Sequence, residues 1–369
     1  MGNITDYLKW RGDLTFEQDP FNEVDNLILA QLAYVDLKDF IPSVKTGDKL
    51  SLEQVTADYF DLNTEQELDK VKTFIKDVPF FLREVAKYKR FKDIMLSNFV
   101  DIVDVSEEKQ FSAFHAELGD GSTYISFRGT DDTIVGWKED FNMSFISPVP
   151  SQIEAEKYVN QTVKSTSGKI RMGGHSKGGN LAIYAAVKAL PRVKKNILYI
   201  YNNDGPGFDS SMIGSPQYQA MLPRVKTIVP EHSVIGMLLE HEEEYMVVKS
   251  SQIGVMQHDA MSWQVCGNRF ETIPNVSKES AALNKALRDW IDGMSMEARS
   301  QFVETLFSII KSTGFSNLSD LNTDFFKSVG IAVKAFGSMD PKTRWVLTKI
   351  LHSIAYDFRT KKKNKNTED

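Results

Sequence analysis

The segment GGHSKGGN, residues 173–180, carries the residue types of a nucleophilic serine site. Within it Gly174, Ser176 and Gly178 form the pattern G-x-S-x-G, in which the serine occupies a sharp turn between a strand and a helix. The glycines leave room for that turn, so that the hydroxyl stands above the edge of the sheet. Ser176 is therefore predicted to be a nucleophile. The alternative is a glycine-rich turn in which the serine only caps the helix.

A serine hydroxyl needs a neighbouring base, and histidine is the usual one. In this kind of site the chain order is serine, acid, histidine, and the histidine follows the last strand. His258 in GVMQHDAMSW comes after the predicted strand YMVVKSS and fits that position. Without a catalytic role it is a loop histidine that caps or packs. The other histidines of the chain are less well placed: His115, His175, His232, His241 and His352.

Two carboxylates between Ser176 and His258 end predicted strands and suit the third member of a triad. Asp204 ends the strand NILYIYNN, and the glycines that follow it leave room for a histidine. Glu231 ends the strand RVKTIVP, which is where the acid more usually lies. Without a catalytic role, Asp204 forms an Asx-turn and Glu231 is a charge beside the next helix start. The pattern alone leaves both acids open.

The elements that must position these residues change along the chain. Residues 1–105 are predicted to be mainly helical, because apolar residues recur at three and four in QELDKVKTFIKDV and PFFLREVAKYKRF. Residues 106–275 begin with a hairpin, FSAFHAEL and STYISF, and then alternate strands and helices. That alternation predicts an α/β fold with a mostly parallel sheet covered on both faces. Residues 276–359 are predicted to be helical, and residues 360–369 a disordered basic tail.

Several segments together resemble a bacterial family, the Mbeg-like α/β-hydrolase proteins, which is related to the fungal-type (class 3) lipases. They are YLKWRGDL, FRGTDD, GGHSKGGNLA, NNDGPGF, GMLLEHEEEY and QHDAMSW, and they extend over residues 7–265. The resemblance implies an α/β-hydrolase core with added N- and C-terminal helical segments, either of which could form a lid. It also implies that His258 is the base, and it favours Asp204 over Glu231 as the acid.

The lipase resemblance also implies an oxyanion hole. The residue that matches Thr130 would offer its main-chain N–H and hydroxyl, together with the main-chain N–H of Lys177, to the oxygen on which charge develops. Otherwise Thr130 is a turn residue. The Lys177 side chain is unusual, because a cation in a first helical turn opposes the helix dipole. We expect it to pair with Asp131 or Asp132, or else to receive an anionic part of the substrate.

Composition excludes several other classes of protein. Lys and Arg total 44 against 50 Asp and Glu, so the net charge of −6 provides no overall attraction to nucleic acid. The single cysteine, Cys266, can form no internal disulfide and excludes Cys-rich zinc sites, which favours a cytoplasmic location. The first residues lack the apolar core of a signal peptide, and we expect no transmembrane segment.

These observations predict a serine esterase or lipase-like hydrolase that acts through an acyl-enzyme without a metal or an organic cofactor. The expected partner is a small-molecule acyl ester or lipid. The lysines of the basic tail would allow peripheral contact with a membrane. The competing hypothesis is a non-catalytic binding module that keeps the α/β-hydrolase fold, because function does not follow from fold.

Overall fold

The computed structural model describes residues 2–68, 70, 77–131, 133–143, 145–164 and 168–312. Its helices are α1 (Ile4–Arg11), α2 (Glu23–Leu32), α3 (Leu52–Leu62), α4 (Glu65–Leu68), α5 (Val78–Val85), α6 (Ile134–Asn142), α7 (Pro150–Thr162), α8 (Lys177–Lys188), α9 (Pro191–Lys194), α10 (Ser210–Ile213), α11 (Pro216–Met221), α12 (Lys278–Asp292) and α13 (Met296–Ser312). Its strands are β1 (Leu50–Ser51), β2 (Met95–Asp104), β3 (Lys109–Glu117), β4 (Thr123–Phe127), β5 (Ile170–His175), β6 (Ile197–Asn203), β7 (Val225–Pro230), β8 (Tyr245–Val248), β9 (Val265–Cys266), β10 (Arg269–Phe270) and β11 (Thr272–Ile273).

A mixed sheet forms the centre of the molecule, with the strand order β1-β2-β3-β4-β5-β6-β7-β8-β11. Strands β4 to β8 are parallel, whereas β1 to β4 and the β8–β11 pair are antiparallel. Parallel strands end at the same edge, so the residues that follow β5 and β6 become neighbours. The parallel sheet with helices α7 and α8 alternating between its strands is an α/β-hydrolase fold, and the predicted fold class is confirmed.

Alternation along the strands produces two cores, one on each face of the sheet. On β4, Tyr124 packs into a cluster with the N-terminal helices, whereas Ile125 and Phe127 pack into a cluster with α7 and α8. Helix α2 is buried along nearly its whole length, and its Asn26 Nδ2 donates to Asn203 Oδ1 of β6 at 2.8 Å. Helix α2 is therefore a fixed layer of the fold and not a lid.

The boundary between helices and sheet lies earlier than the sequence pattern predicts. The hairpin over β3 and β4 is confirmed. The prediction of mainly helical structure up to residue 105 is wrong for β2, which pairs antiparallel with β3. Its sequence, MLSNFVDIVD, has two buried residues in succession, Leu96 and Ser97, and an irregular register between Ser97 and Val100, so its alternation is broken. A pattern with that interruption lacks the period-2 signal of a strand.

The C-terminal helix α13 packs against α6. Helix α13 contacts α6, where the Phe141 and Phe307 rings lie 5.6 Å apart and Lys138 Nζ lies 2.8 Å from Glu304. The helices predicted beyond residue 312 and the tail 360–369 lie outside the described residues. Within the described part, no helix is both long enough and apolar enough to cross a membrane.

Candidate active site

Ser176 occupies a strained turn between β5 and α8. Its backbone has φ 56° and ψ −134°, and its N–H donates to the carbonyl of Asn203 at 2.9 Å. A non-glycine residue at positive φ costs about 1–3 kcal/mol and persists only where the surrounding structure enforces it. Here the turn passes close to β4: a Cβ on Gly174 or Gly178 would lie 2.4 Å or 2.2 Å from the carbonyl oxygen of Phe127. Both glycines are therefore required by the close approach of this turn to the end of β4.

His258 and Asp204 lie together beside this turn. His258 Nδ1 is 2.6 Å from Asp204 Oδ2, and the other carboxylate oxygen accepts a hydrogen bond from Ser233 Oγ at 2.5 Å. Asp204 is fully buried and has φ 52°, whereas the His258 side chain is 30% exposed. An ionised carboxylate only accepts hydrogen bonds, so Nδ1 carries a proton and the neutral ring has its lone pair at Nε2. That tautomer is the one a general base requires.

Glu231, the alternative acid, lies at the end of β7 as expected, and its contacts there are through the backbone. Its N–H donates to the carbonyl of Val248 at 3.1 Å, and its carbonyl accepts from the N–H of Ser277 at 2.8 Å. Among the described residues, the carboxylate bonded to His258 is that of Asp204. Of the two candidate acids, Asp204 is thus the one whose carboxylate contacts the His258 ring.

Three other described histidines have partners away from His258. His115 is buried against Thr162, and burial lowers the pKa of its ring to about 3. His232 contacts Gln257, and His241 contacts the buried carboxylate of Glu243. His352 lies outside the described residues. These three rings are therefore tied to structural contacts.

Thr130 follows β4 and lies beside α6. Its hydroxyl donates to Asp140 Oδ2 at 2.5 Å. Burial raises the pKa of Asp140 to about 6, while Lys177 and the Thr130 hydroxyl act in the opposite direction. The proton of the hydroxyl is therefore engaged with α6.

The side chain of Lys177 is buried between β3 and α6. It is 1% exposed, and its Nζ contacts Glu139 Oε2 at 3.0 Å and Gln110 Oε1 at 2.8 Å. The expected pairing with Asp131 or Asp132 is wrong for Asp131, whose carboxylate accepts from Arg128 and Thr133; Asp132 lies outside the described residues. A buried cation with these partners is also poorly placed to receive an anionic substrate.

The family of the chain follows from a match to a family model. The model, described as Mbeg1-like, matches residues 85–308, which is more than half of the chain. The chain belongs to the Mbeg1-like family. No curated protein matches this Mbeg1-like chain. The predicted family is confirmed.

Two solved structures are similar to this Mbeg1-like chain at low identity. One is the fungal lipase–inhibitor complex described in a model for interfacial activation in lipases, with 17% identity, a TM-score of 0.35, and coverage of 54% of this chain and 81% of that chain. The other is M37 lipase, with 15% identity, a TM-score of 0.37, and coverage of 59% and 70% respectively.

Four residues at the site of this Mbeg1-like protein were not predicted from the sequence: Tyr34, Glu139, Asp140 and Ser233. Ser233 lies two residues after Glu231, and Tyr34 follows α2 in the N-terminal segment. Their roles depend on contacts between distant segments. Only the two acids gave a hint, because they lie in FRGTDDTIVGWKEDF beside the expected oxyanion residue. In the part of the chain that is described, no group of three or more His, Cys, Asp or Glu side chains suits a metal ion.

Proposed function

We propose that this protein is a serine hydrolase that transfers the acyl group of an ester or lipid-like substrate to water. The observation that carries the proposal is the 2.6 Å contact between His258 Nδ1 and Asp204, beside a serine at positive φ. A buried aspartate that fixes the tautomer of a partly exposed histidine is the arrangement that activates a hydroxyl nucleophile.

The proposed reaction has two steps. In the first, His258 Nε2 takes the proton of the Ser176 hydroxyl as the oxygen attacks the carbonyl carbon, and the same proton is then delivered to the leaving alcohol. The main-chain N–H groups of Thr130 and Lys177 would hold the oxyanion. In the second step, water attacks the acyl-enzyme with the help of His258, and the acid product leaves. The ester or lipid preference rests on the resemblance of FRGT and GHSKGG to fungal-type lipases.

The decisive test is covalent labelling by a fluorophosphonate probe, with mass spectrometry to locate the adduct. We expect an adduct on Ser176 in the wild type that is absent in Ser176→Ala. His258→Ala and Asp204→Asn should lower the labelling rate by about 10³-fold or more, because each removes a member of the activating chain. Glu231→Gln is the matched control: it neutralises the neighbouring acid and should label at the wild-type rate.

Two outcomes would contradict the proposal. Wild-type protein that is folded, and that remains unlabelled with and without detergent, would favour a non-catalytic binding module. Loss of labelling in Glu231→Gln with retention in Asp204→Asn would instead assign the acid to Glu231.

A further inference from the structure

His175 immediately precedes the proposed nucleophile, and its ring contacts the loop that carries the proposed base. His175 Nε2 lies 2.8 Å from the main-chain carbonyl oxygen of His258, and the centres of the two imidazole rings are 4.5 Å apart. The residue is only 7% exposed. This contact joins the end of β5 directly to the segment Gly254–His258.

The chemistry of the partners fixes the tautomer of His175. A carbonyl oxygen only accepts hydrogen bonds, so Nε2 carries the proton and Nδ1 of the neutral ring has the lone pair. The Tyr34 hydroxyl lies 3.1 Å from that Nδ1 and 3.2 Å from the main-chain oxygen of His175, and its single proton is shared between these two acceptors. Both nitrogens of the buried ring are therefore used.

The ring is held in its neutral form. Burial, and in second place the neighbouring His258, lower the pKa of His175 well below its usual value. A neutral ring suits the proposed reaction, because an imidazolium forms on His258 in each step. A second cation 4.5 Å away would oppose it, whereas a neutral donor to the carbonyl does not.

Tyr34, in the N-terminal segment, also contacts His175. Its hydroxyl fills the space above Gly129, where an added Cβ would lie 2.1 Å from that oxygen and 3.2 Å from Ser176 Cβ. Tyr34 therefore lies between the FRGT segment and the turn that carries Ser176. It contacts Nδ1 of His175, whereas His258 contacts Nε2.

The histidine loop is held at separate points. Asp204 fixes the His258 ring, the Trp263 indole N–H donates to the carbonyl of Gln257 at 2.8 Å, and His175 holds the carbonyl of His258 itself. Of these three contacts, only the one made by His175 comes from the residue that precedes Ser176 in the chain. It sets the separation between the segment that carries the serine and the segment that carries the base.

We infer that His175 is a positioning residue that aligns His258 with Ser176 through this carbonyl, and that Tyr34 orients His175. The inference rests on the proposed function. It explains why the position before the serine holds an imidazole, which can accept from a hydroxyl on one side and donate to a carbonyl on the other.

The test uses two substitutions that differ in reach, made in the full chain. The amide nitrogen of glutamine lies about as far along its side chain as Nε2 of histidine, whereas that of asparagine corresponds to Nδ1. His175→Gln therefore keeps a donor to the His258 carbonyl, and His175→Asn loses it. The rate of fluorophosphonate labelling at Ser176 and the thermal unfolding temperature are measured for both variants and for Tyr34→Phe.

We expect His175→Asn to label about 10- to 100-fold more slowly than wild type, because misalignment of reacting groups by about 1 Å has effects of that size. His175→Gln should recover most of the lost rate at a similar unfolding temperature. A purely structural role predicts that labelling of folded protein is unchanged in both variants, or that both variants are slowed equally, and either result overturns the inference.

A measurement on wild-type protein covers the case in which His175→Asn does not fold. The ¹⁵N chemical shifts of the His175 ring should show a neutral Nε2–H tautomer from about pH 5 to about pH 9. A ring that titrates in this range, or that carries its proton on Nδ1, contradicts the inference. Wild type that fails to label at Ser176 removes the proposed function, and the positioning role with it. Wild type and His175→Asn that label equally remove the positioning role alone.

Discussion

The buried ion pair next to the proposed nucleophile provides the sharpest stability prediction. Lys177 Nζ lies 3.0 Å from Glu139 Oε2, and the two side chains are 1% and 0% exposed. The Glu139 carboxylate also accepts from the main-chain N–H of Gln110 at 3.1 Å and that of Ser151 at 2.8 Å. Lys177→Met removes the cation and leaves the carboxylate buried with only these two neutral donors.

The expected size follows from the distance. At an effective dielectric constant of about 20, two charges 3.0 Å apart interact by about 5 kcal/mol. Part of this is recovered because the lysine no longer has to be desolvated, so we expect Lys177→Met to lower the free energy of unfolding by about 3–5 kcal/mol. Typical domains have about 5–15 kcal/mol in total, so the loss should be large.

The double variant Lys177→Met/Glu139→Gln separates charge from packing. It removes both charges, but a glutamine has one acceptor oxygen for the two main-chain N–H groups that Glu139 now satisfies. Its stability should therefore lie between that of Lys177→Met and wild type, with about 1–3 kcal/mol lost for the unpaired N–H.

Urea unfolding followed by tryptophan fluorescence measures these differences. Lys9→Met is the matched control, because Lys9 pairs with Asp6 on the surface at 3.1 Å and its side chain is 58% exposed. Such a pair contributes about 0.5 kcal/mol or less. The reasoning is refuted if Lys177→Met is no more destabilised than Lys9→Met, or if the double variant is less stable than Lys177→Met.

Two further substitutions test single contacts. Burial would raise the pKa of Glu243, but hydrogen bonds from His241 and two buried hydroxyl groups lower it from 4.5 to about 2. A lowered pKa stabilises the fold above the unfolded-state value, so this group should contribute about 3 kcal/mol at pH 7 that is lost as pH falls from about 4.5 towards about 2. The difference in unfolding free energy between wild type and Glu243→Gln should shrink over that range, and a constant difference would contradict the assignment. Ser233→Ala removes the hydrogen bond to Asp204 Oδ1 and should slow fluorophosphonate labelling by about tenfold at unchanged adduct position. Labelling at the wild-type rate would show that Asp204 needs no second partner.

The turn between β5 and α8 was the most predictable part of the site, because its residues are adjacent in the sequence. Gly174, Ser176 and Gly178 belong to one turn between a strand and a helix, and the sequence pattern contains both neighbours. The acid was not local in this sense. Asp204 and Glu231 end adjacent parallel strands, so strand order alone places both near the base. The path of the loop that ends at His258 determines which carboxylate contacts the His258 ring. That path is irregular, so no hydrophobic periodicity in the sequence predicts it.

The partner of Lys177 was mispredicted for a related reason. The two acids expected to pair with it, Asp131 and Asp132, directly follow the expected oxyanion residue Thr130 in the chain. In the structure the lysine amine reaches α6 instead, and Glu139 on that helix is fully buried while Asp131 bonds to Arg128. The rotation of α6 about its axis determines which acid faces the interior. Its sequence, IVGWKEDFN, has adjacent acids at 139 and 140, and its apolar residues do not fix that rotation.

The position of α2 has a consequence for how the chain folds during synthesis. The hydrogen bond from Asn26 to Asn203 joins residues that are 177 positions apart. At about 5–20 residues per second, the helix waits roughly 10–35 seconds for β6 to be made. Until β4 and β5, which α2 also contacts, have been made, Leu27, Ile28 and Leu29, which are fully buried in the finished protein, have no sheet to cover them. The nascent chain therefore exposes an apolar helix before the sheet has formed. We expect a chaperone that binds apolar segments to bind this one.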